Sequence, residues 1–152
     1  MKQTIKTENV LSAYRIISDA KYAKMSDDDK IKVWKIARKL KPVATQFEED
    51  SKSAAEKFKP ADYENFENDL RKAQEYEQKK GIGADMTLDE YQKFLVAFKR
   101  YNELVAKAVK EFADKEVDIE FDGLSEDAFG KLMASNDWSV SQTMEIGNLI
   151  VE

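Results

Sequence analysis

Two long stretches of the chain place apolar residues alternately three and four positions apart, and this spacing constrains the fold more than any other feature. Residues three and four apart lie on one side of an α-helix, so each stretch predicts a long helix with a narrow apolar seam, as in coiled coils and helical bundles. The seam residues are Val33, Ala37, Leu40, Ala44, Phe47, Ser51, Ala54 and Phe58 in the first stretch, and Tyr91, Phe94, Phe98, Tyr101, Val105, Ala108 and Phe112 in the second.

Capping and breaking residues predict where these helices begin and end. Ser26, followed by three aspartates, is a good N-cap for the first long helix, and Pro60 marks its end. Pro42 predicts a bend rather than an end, because the seam resumes in phase after it. Thr87 and Glu90 have the spacing of a capping box, which opens the second long helix.

Shorter helices are predicted before, between and after the two long ones. Thr7 is an acceptable N-cap for the first of them, and Gly81 ends the third before a short linker. Predicted helices cover residues 8–23, 26–58, 61–80, 88–114, 126–134 and 140–150.

The pattern changes after the last long helix. Val117, Ile119 and Phe121 alternate with acidic residues, which predicts a strand over 116–121 with one buried face. A lone strand cannot satisfy its backbone hydrogen bonds, and residues 2–6 are the best partner in the chain. Four helices running up and down would return the chain to its starting end and bring the two strands together.

The predicted fold is therefore mainly α, a single domain over residues 1–152. We expect an elongated antiparallel helical bundle or hairpin, with a small two-stranded antiparallel β element that joins the N- and C-terminal segments, and short C-terminal helices over 125–150. Composition agrees, because five glycines and two prolines in 152 residues leave few turns, and 36% charged residues suit long helices.

Composition also excludes several kinds of chemistry. The chain has no cysteine and no histidine, so disulfides, thiolate metal sites, cysteine nucleophiles and histidine bases are all ruled out. We predict no catalytic residues, no metal site and no cofactor. No stretch approaches the roughly 18 apolar residues of a membrane span, which indicates a cytoplasmic protein without a membrane partner. From Glu116 onward, nine acidic residues accompany a single lysine, so nucleic-acid binding is not expected.

Six residues are candidates for contact with a partner: Trp138, Trp34, Glu116, Asp118, Glu120 and Asp122. Tryptophan is enriched at the centres of interfaces, although Trp138 could equally form a lid over one end of the bundle. The four acidic residues alternate along the predicted strand, so their carboxylates share one face and could bind Ca²⁺ or Mg²⁺. We favour a solvated strand face that discourages aggregation.

The order of these features resembles a family of small bacteriophage and prophage proteins with a domain of unknown function. The likeness lies in the opening strand, in the lysine-rich segment from Lys30 to Leu40, in the segment from Glu116 to Phe121, in the helix start at Trp138 to Ser141, and in the closing Leu149 to Glu152. The resemblance implies a phage or prophage origin, an accessory role and a bacterial host cell as the location.

Three functions remain open at this point. The heptad helices and the missing catalytic residue types favour a non-enzymatic scaffold or partner-binding protein, such as a phage accessory or assembly factor. The first alternative is an acidic inhibitor whose C-terminal part binds a basic surface of a host protein. The second is an enzyme that uses carboxylates or a metal. A homo-oligomer is also open, because a heptad seam can pair within one chain or between two.

Overall fold

The computed structural model describes residues 1–63 and 65–152, and this part of the chain is 69% helical. Its elements are β1 (Lys2–Lys6), α1 (Thr7–Ser18), α2 (Asp27–Lys57), α3 (Phe66–Lys79), α4 (Leu88–Asp114), β2 (Glu116–Glu120), α5 (Glu126–Ala134) and α6 (Val140–Ile150). The predicted fold class is confirmed: within the described residues there are six helices, two of them long, and a small antiparallel sheet joins the N- and C-terminal parts.

The chain forms two compact units. Unit 1 consists of Met1–Glu49 and Phe112–Glu152, and unit 2 consists of Asp50–Glu111. Helices α2 and α4 each contribute residues to both units. Each unit contains its own cluster of buried apolar side chains.

Unit 1 is held together by pairing between its two chain segments. Strands β1 and β2 are antiparallel, with Lys2 opposite Glu120 and Lys6 opposite Glu116. Within the second segment, the Leu124 main chain also forms an isolated parallel bridge to Val151. These bonds satisfy backbone groups that neither segment could satisfy alone.

The core of unit 1 contains the N-terminal half of the first predicted seam. Val33 and Leu40 of α2 are fully buried, beside Ile17 of α1. Further fully buried side chains are Val10, Ala13, Leu124, Leu132, Ile146 and Ile150. Burying one such large aliphatic side chain contributes about 1.5–3 kcal/mol, so the packing of α1, α2, α5 and α6 residues here stabilises the unit.

The core of unit 2 is aromatic. Phe94 is fully buried, and its ring lies 5.3 Å from that of Tyr63, edge to face, and 5.6 Å from that of Phe66. The predicted capping box opens α4, because the Glu90 backbone N–H donates to the Thr87 hydroxyl and the Thr87 N–H donates to the Glu90 carboxylate, both at 3.2 Å. Among the second-seam aromatics predicted to be core residues, Phe94 is buried, and Tyr91, Phe98 and Tyr101 are half-buried and pack against the same cluster.

Helix α1 is shorter than predicted, and tertiary contacts explain why. It begins at Thr7, whose hydroxyl donates to the Lys115 carbonyl at 2.7 Å instead of capping its own helix. It ends at Ser18 rather than near residue 23, because Lys21 and Lys24 donate their backbone N–H groups to the side chains of Asn136 and Ser135, at 2.8 and 3.1 Å. The chain there satisfies its donors outside a helix.

Helix α3 also differs from its predicted bounds, starting at Phe66 rather than 61. Asn65 caps it by accepting a hydrogen bond from the Asn68 backbone at 3.0 Å. At the other end, Lys80 and Gly81 both have positive φ, so the helix stops where glycine was expected to stop it. Helix α2 continues through Pro42 without a break. Across residues 1–63 and 65–152, no helix combines the length and apolarity that a bilayer crossing requires.

Candidate interaction surface on helix α2

One segment of α2 carries a strong local positive charge. From Lys30 to Phe47 there are six basic residues and no acidic one, in a chain whose formal charge is −5. Val33, Ile36 and Leu40 of this segment are buried in unit 1, and its basic residues other than Lys30 are exposed. The exposed residues from Ile31 to Thr45, called here the α2 face, are Ile31, Lys32, Trp34, Lys35, Arg38, Lys39, Lys41, Pro42 and Thr45.

Trp34 is the most unusual member of the α2 face. Its side chain remains 55% exposed, and the neighbouring Ile31 is 50% exposed. The Arg38 guanidinium lies over the indole, with its central carbon 4.8 Å from the ring centroid, which is a cation–π contact one helical turn away. The indole is therefore held in place by its own helix while much of its surface stays in water.

A groove runs along one side of the α2 face and is called here the α2 groove. Its volume is about 710 Å³. It is lined by Met1, Lys32, Lys35, Arg38, Lys39, Pro42, Glu120, Phe121 and Asp122. Within the described part of the chain, Lys32, Lys35 and Lys39 form no ion pair, so their charges are available to a ligand. A second, shallower groove of about 570 Å³ contains Trp34, Arg38 and Lys41.

The predicted acidic residues separate into two groups. Glu116 and Asp118 are exposed on β2 but face β1, where Thr4 donates its hydroxyl to the Asp118 carboxylate at 2.6 Å and Lys6 stands opposite Glu116. Glu120, which stands opposite Lys2 of β1, and Asp122 both line the α2 groove together with the α2 lysines. The structure thus brings two of the four predicted acidic residues to the same groove as the basic helix.

Trp138 lies elsewhere in unit 1. Its side chain is half-buried and packs against the unit 1 core, with its ring 6.4 Å from that of Phe129. It lines neither groove of the α2 face. Trp138 thus packs on apolar side chains of the unit 1 core, and both its contact with a partner and its role as a lid over one end of the bundle stay predictions.

Unit 2 has a groove of its own, of about 620 Å³, between residues of the α2 end, the 60–63 turn and α4. Tyr63 and Tyr101 form aromatic walls, and Lys93 and Arg100 supply positive charge. Burial raises the pKa of the Tyr63 hydroxyl above its ordinary value. Lys93 is paired with Asp89 at 3.0 Å, and this contact raises its pKa. The unit 2 groove therefore offers fewer available charges than the α2 groove.

The carboxylates with displaced pKa values belong to helix surfaces and caps. A hydrogen bond from Lys59 lowers the pKa of Glu67, and one from Lys79 lowers the pKa of Glu75. Hydrogen bonds from Thr87 lower the pKa of Glu90. A lowered pKa makes a carboxylate a weaker base, so these groups stabilise helices rather than prepare acid–base chemistry.

Comparison with known proteins assigns this chain to no family. Family models, curated proteins and solved structures were all compared with the chain, and none of them matches. Among residues 1–63 and 65–152, no group of three or more acidic side chains has the arrangement of a metal site. The α2 face is thus the best-defined candidate site in the described structure.

Sequence reasoning named Trp34 but missed the lysines beside it. Lys32, Lys35 and Lys39 entered the sequence analysis only as members of the lysine-rich segment that carries the family resemblance, and no binding role was predicted for them. A scan for charge along the helix would have found them, because the stretch from Lys30 to Phe47 lacks any acidic residue.

Proposed function

We propose that this chain is a non-enzymatic partner-binding protein of the scaffold class, with the α2 face as its docking surface. The observation that carries the proposal is the exposed Trp34, fixed by Arg38 on a helix whose opposite side is buried. Tryptophan and arginine are the residues most enriched at energetic centres of protein interfaces, and a rigid helix loses little conformational entropy on docking.

A phage accessory or assembly role follows from the resemblance to small phage proteins. On that basis the partner would be a phage or host protein in the cytoplasm of an infected or lysogenic bacterium. The lack of cysteine and histidine supports a non-enzymatic role, because it removes the usual nucleophile and the usual base near neutral pH.

We favour this function over the acidic inhibitor because of how the C-terminal acidic residues are arranged. On β2, Glu116 and Glu120 stand opposite Lys6 and Lys2. Opposite charges across a strand pair weaken the negative field that an acidic inhibitor would present to a basic surface. On α2, Lys32, Lys35 and Lys39 form no ion pair within the described residues.

Affinity capture with matched variants tests the proposal. Tagged wild-type protein, Trp34→Ala and Ile82→Ala are used to recover partners from phage-infected or lysogenic cells, followed by mass spectrometry. Ile82 is the control because it is 80% exposed and lies in unit 2. We expect wild type and Ile82→Ala to recover the same partner and Trp34→Ala to lose it. Recovery that ignores Trp34→Ala would refute the α2 face as the docking surface.

A further inference from the structure

We infer that the partner segment that docks on the α2 face is an acidic stretch of protein carrying an aromatic or aliphatic anchor. This inference rests on the proposed function and specifies the chemistry of the partner. The first reason is charge: Lys32, Lys35 and Lys39 line the α2 groove and form no ion pair within the described residues. Like charges gathered on one helix repel one another, and an anionic segment in the groove would relieve that repulsion.

The second reason is the apolar surface next to those lysines. Ile31 and Trp34 are each at least half exposed, and Pro42 is exposed between the two grooves. Apolar side chains surrounded by charged ones are typical of the centre of a docking surface and its polar rim. A partner that supplied only negative charge would leave this apolar area in water.

The third reason concerns size. From Ile31 to Thr45 the α2 face extends about 21 Å at 1.5 Å per residue. An extended peptide of about six residues covers the same length at roughly 3.3 Å per residue, as does a helix of four turns. The surface therefore fits a short linear segment or a single helix.

Glu120 and Asp122 favour a polypeptide over a nucleic acid. Both carboxylates line the α2 groove and are exposed. A nucleic-acid backbone carries a phosphate at every nucleotide, so it cannot avoid these carboxylates if it follows the groove. A peptide can place a neutral or basic side chain opposite them, and its acidic side chains opposite the lysines.

Defined polymers test this chemistry directly. In a Trp138→Phe background, where Trp34 is the single tryptophan, emission and calorimetry are followed while poly-L-glutamate or a glutamate–tyrosine copolymer is added. We expect both polymers to bind at low salt and to weaken as salt is raised, with the copolymer binding about tenfold more tightly because tyrosine supplies an anchor. In the Trp34→Ala variant, calorimetry should show that the copolymer no longer binds more tightly than poly-L-glutamate.

Charge reversal with a matched control locates the binding. The triple variant Lys32→Glu, Lys35→Glu, Lys39→Glu leaves the Trp34–Arg38 contact in place and should weaken copolymer binding about a hundredfold. The control reverses Lys99, Lys107 and Lys110, which are exposed on α4, and so makes the same change in net charge. We expect it to weaken binding less than about threefold. Circular dichroism checks that both variants are folded.

Four outcomes would overturn the inference. The first is that no copolymer binds at low salt, and the second is that the α4 control loses as much copolymer affinity as the triple variant. The third is that an oligothymidylate of equal charge binds more tightly than the copolymer through the same three lysines. The fourth is that the protein self-associates in light scattering and that the three reversals abolish this association. The proposed function can be tested independently of this inference. If captured partners depend on Trp34 but ignore the three lysine reversals, the docking surface stands and the acidic partner is refuted.

Discussion

Ser51 provides the sharpest test of the packing in unit 2. It occupies a seam position of α2, and its hydroxyl oxygen is buried without a hydrogen-bond partner among the described residues. A buried hydroxyl without a partner costs about 1–3 kcal/mol of desolvation. We therefore expect Ser51→Ala to stabilise the protein, although it removes an atom from the interior.

The magnitude follows from three contributions. Relief of the unpaired hydroxyl contributes about 1–3 kcal/mol, and the higher helix propensity of alanine adds about 0.5 kcal/mol. Loss of a few van der Waals contacts of about 0.1–0.2 kcal/mol each opposes them. The net increase in the free energy of unfolding should be about 1–2 kcal/mol, which corresponds to a rise in Tm of roughly 3–6 °C for a chain of this size.

Ser53→Ala is the matched control, because Ser53 lies in the same helix but is exposed. It should stabilise by helix propensity alone, about 0.5 kcal/mol. Urea unfolding and thermal melts, both followed by circular dichroism at the helix band, compare the two variants with wild type. If Ser51→Ala gains no more than Ser53→Ala, the hydroxyl has a partner in solution and the reasoning fails.

Three further predictions concern other parts of the chain. Gly130→Ala in α5 should stabilise by about 1 kcal/mol, since the added Cβ has free space, whereas Gly123→Ala should lower Tm, since its Cβ would lie 3.0 Å from the Ile150 carbonyl oxygen. Equal melting temperatures for the two would contradict this. Phe94→Ala should cost about 3–5 kcal/mol in urea unfolding, because it empties the aromatic core of unit 2; a loss below 1 kcal/mol would mean that the core is not packed as described. Glu90 should titrate below its ordinary pKa of 4.5 in an NMR titration, and Thr87→Ala should raise that pKa. Its contribution to the α4 cap is thus present at neutral pH and lost as pH falls through the lowered pKa, and a pKa at or above 4.5 in wild type would argue against the capping box.

Local signals allowed much of the fold to be predicted. Helices α4, α5 and α6 have the predicted bounds, because Thr87, Ser125 and Ser139 each cap their own helix through contacts three residues long. The predicted end of α1 was wrong because the backbone of Lys21 and Lys24 is bound by side chains more than 110 positions away in the sequence. Periodicity depends only on residues that are close in the sequence, so it cannot predict such long-range contacts.

The candidate site was only partly predictable for a similar reason. Trp34 could be identified from the sequence because it lies beside the apolar seam rather than in it, and because tryptophan is enriched at the centres of interfaces. The contribution of Glu120 and Asp122 could not, because alternation along a strand tells which carboxylates share a face but not which helix that strand lies near. Only the folded unit 1 shows that two of the four acidic residues share a groove with the α2 lysines.

The sequence by itself determined the helical class, the two seams, the pairing of the terminal strands and the absence of thiol and imidazole chemistry. These features depend on residue type and on spacings of a few positions, and both can be read directly from the sequence. The tertiary structure decided which seam residues belong to which unit, and that Trp138 is half-buried against the unit 1 core while Trp34 is exposed. It also decided that the α2 lysines share a groove with Glu120 at the end of β2. Burial and the meeting of distant side chains depend on how elements pack in three dimensions, and that packing decides which residues a partner can reach.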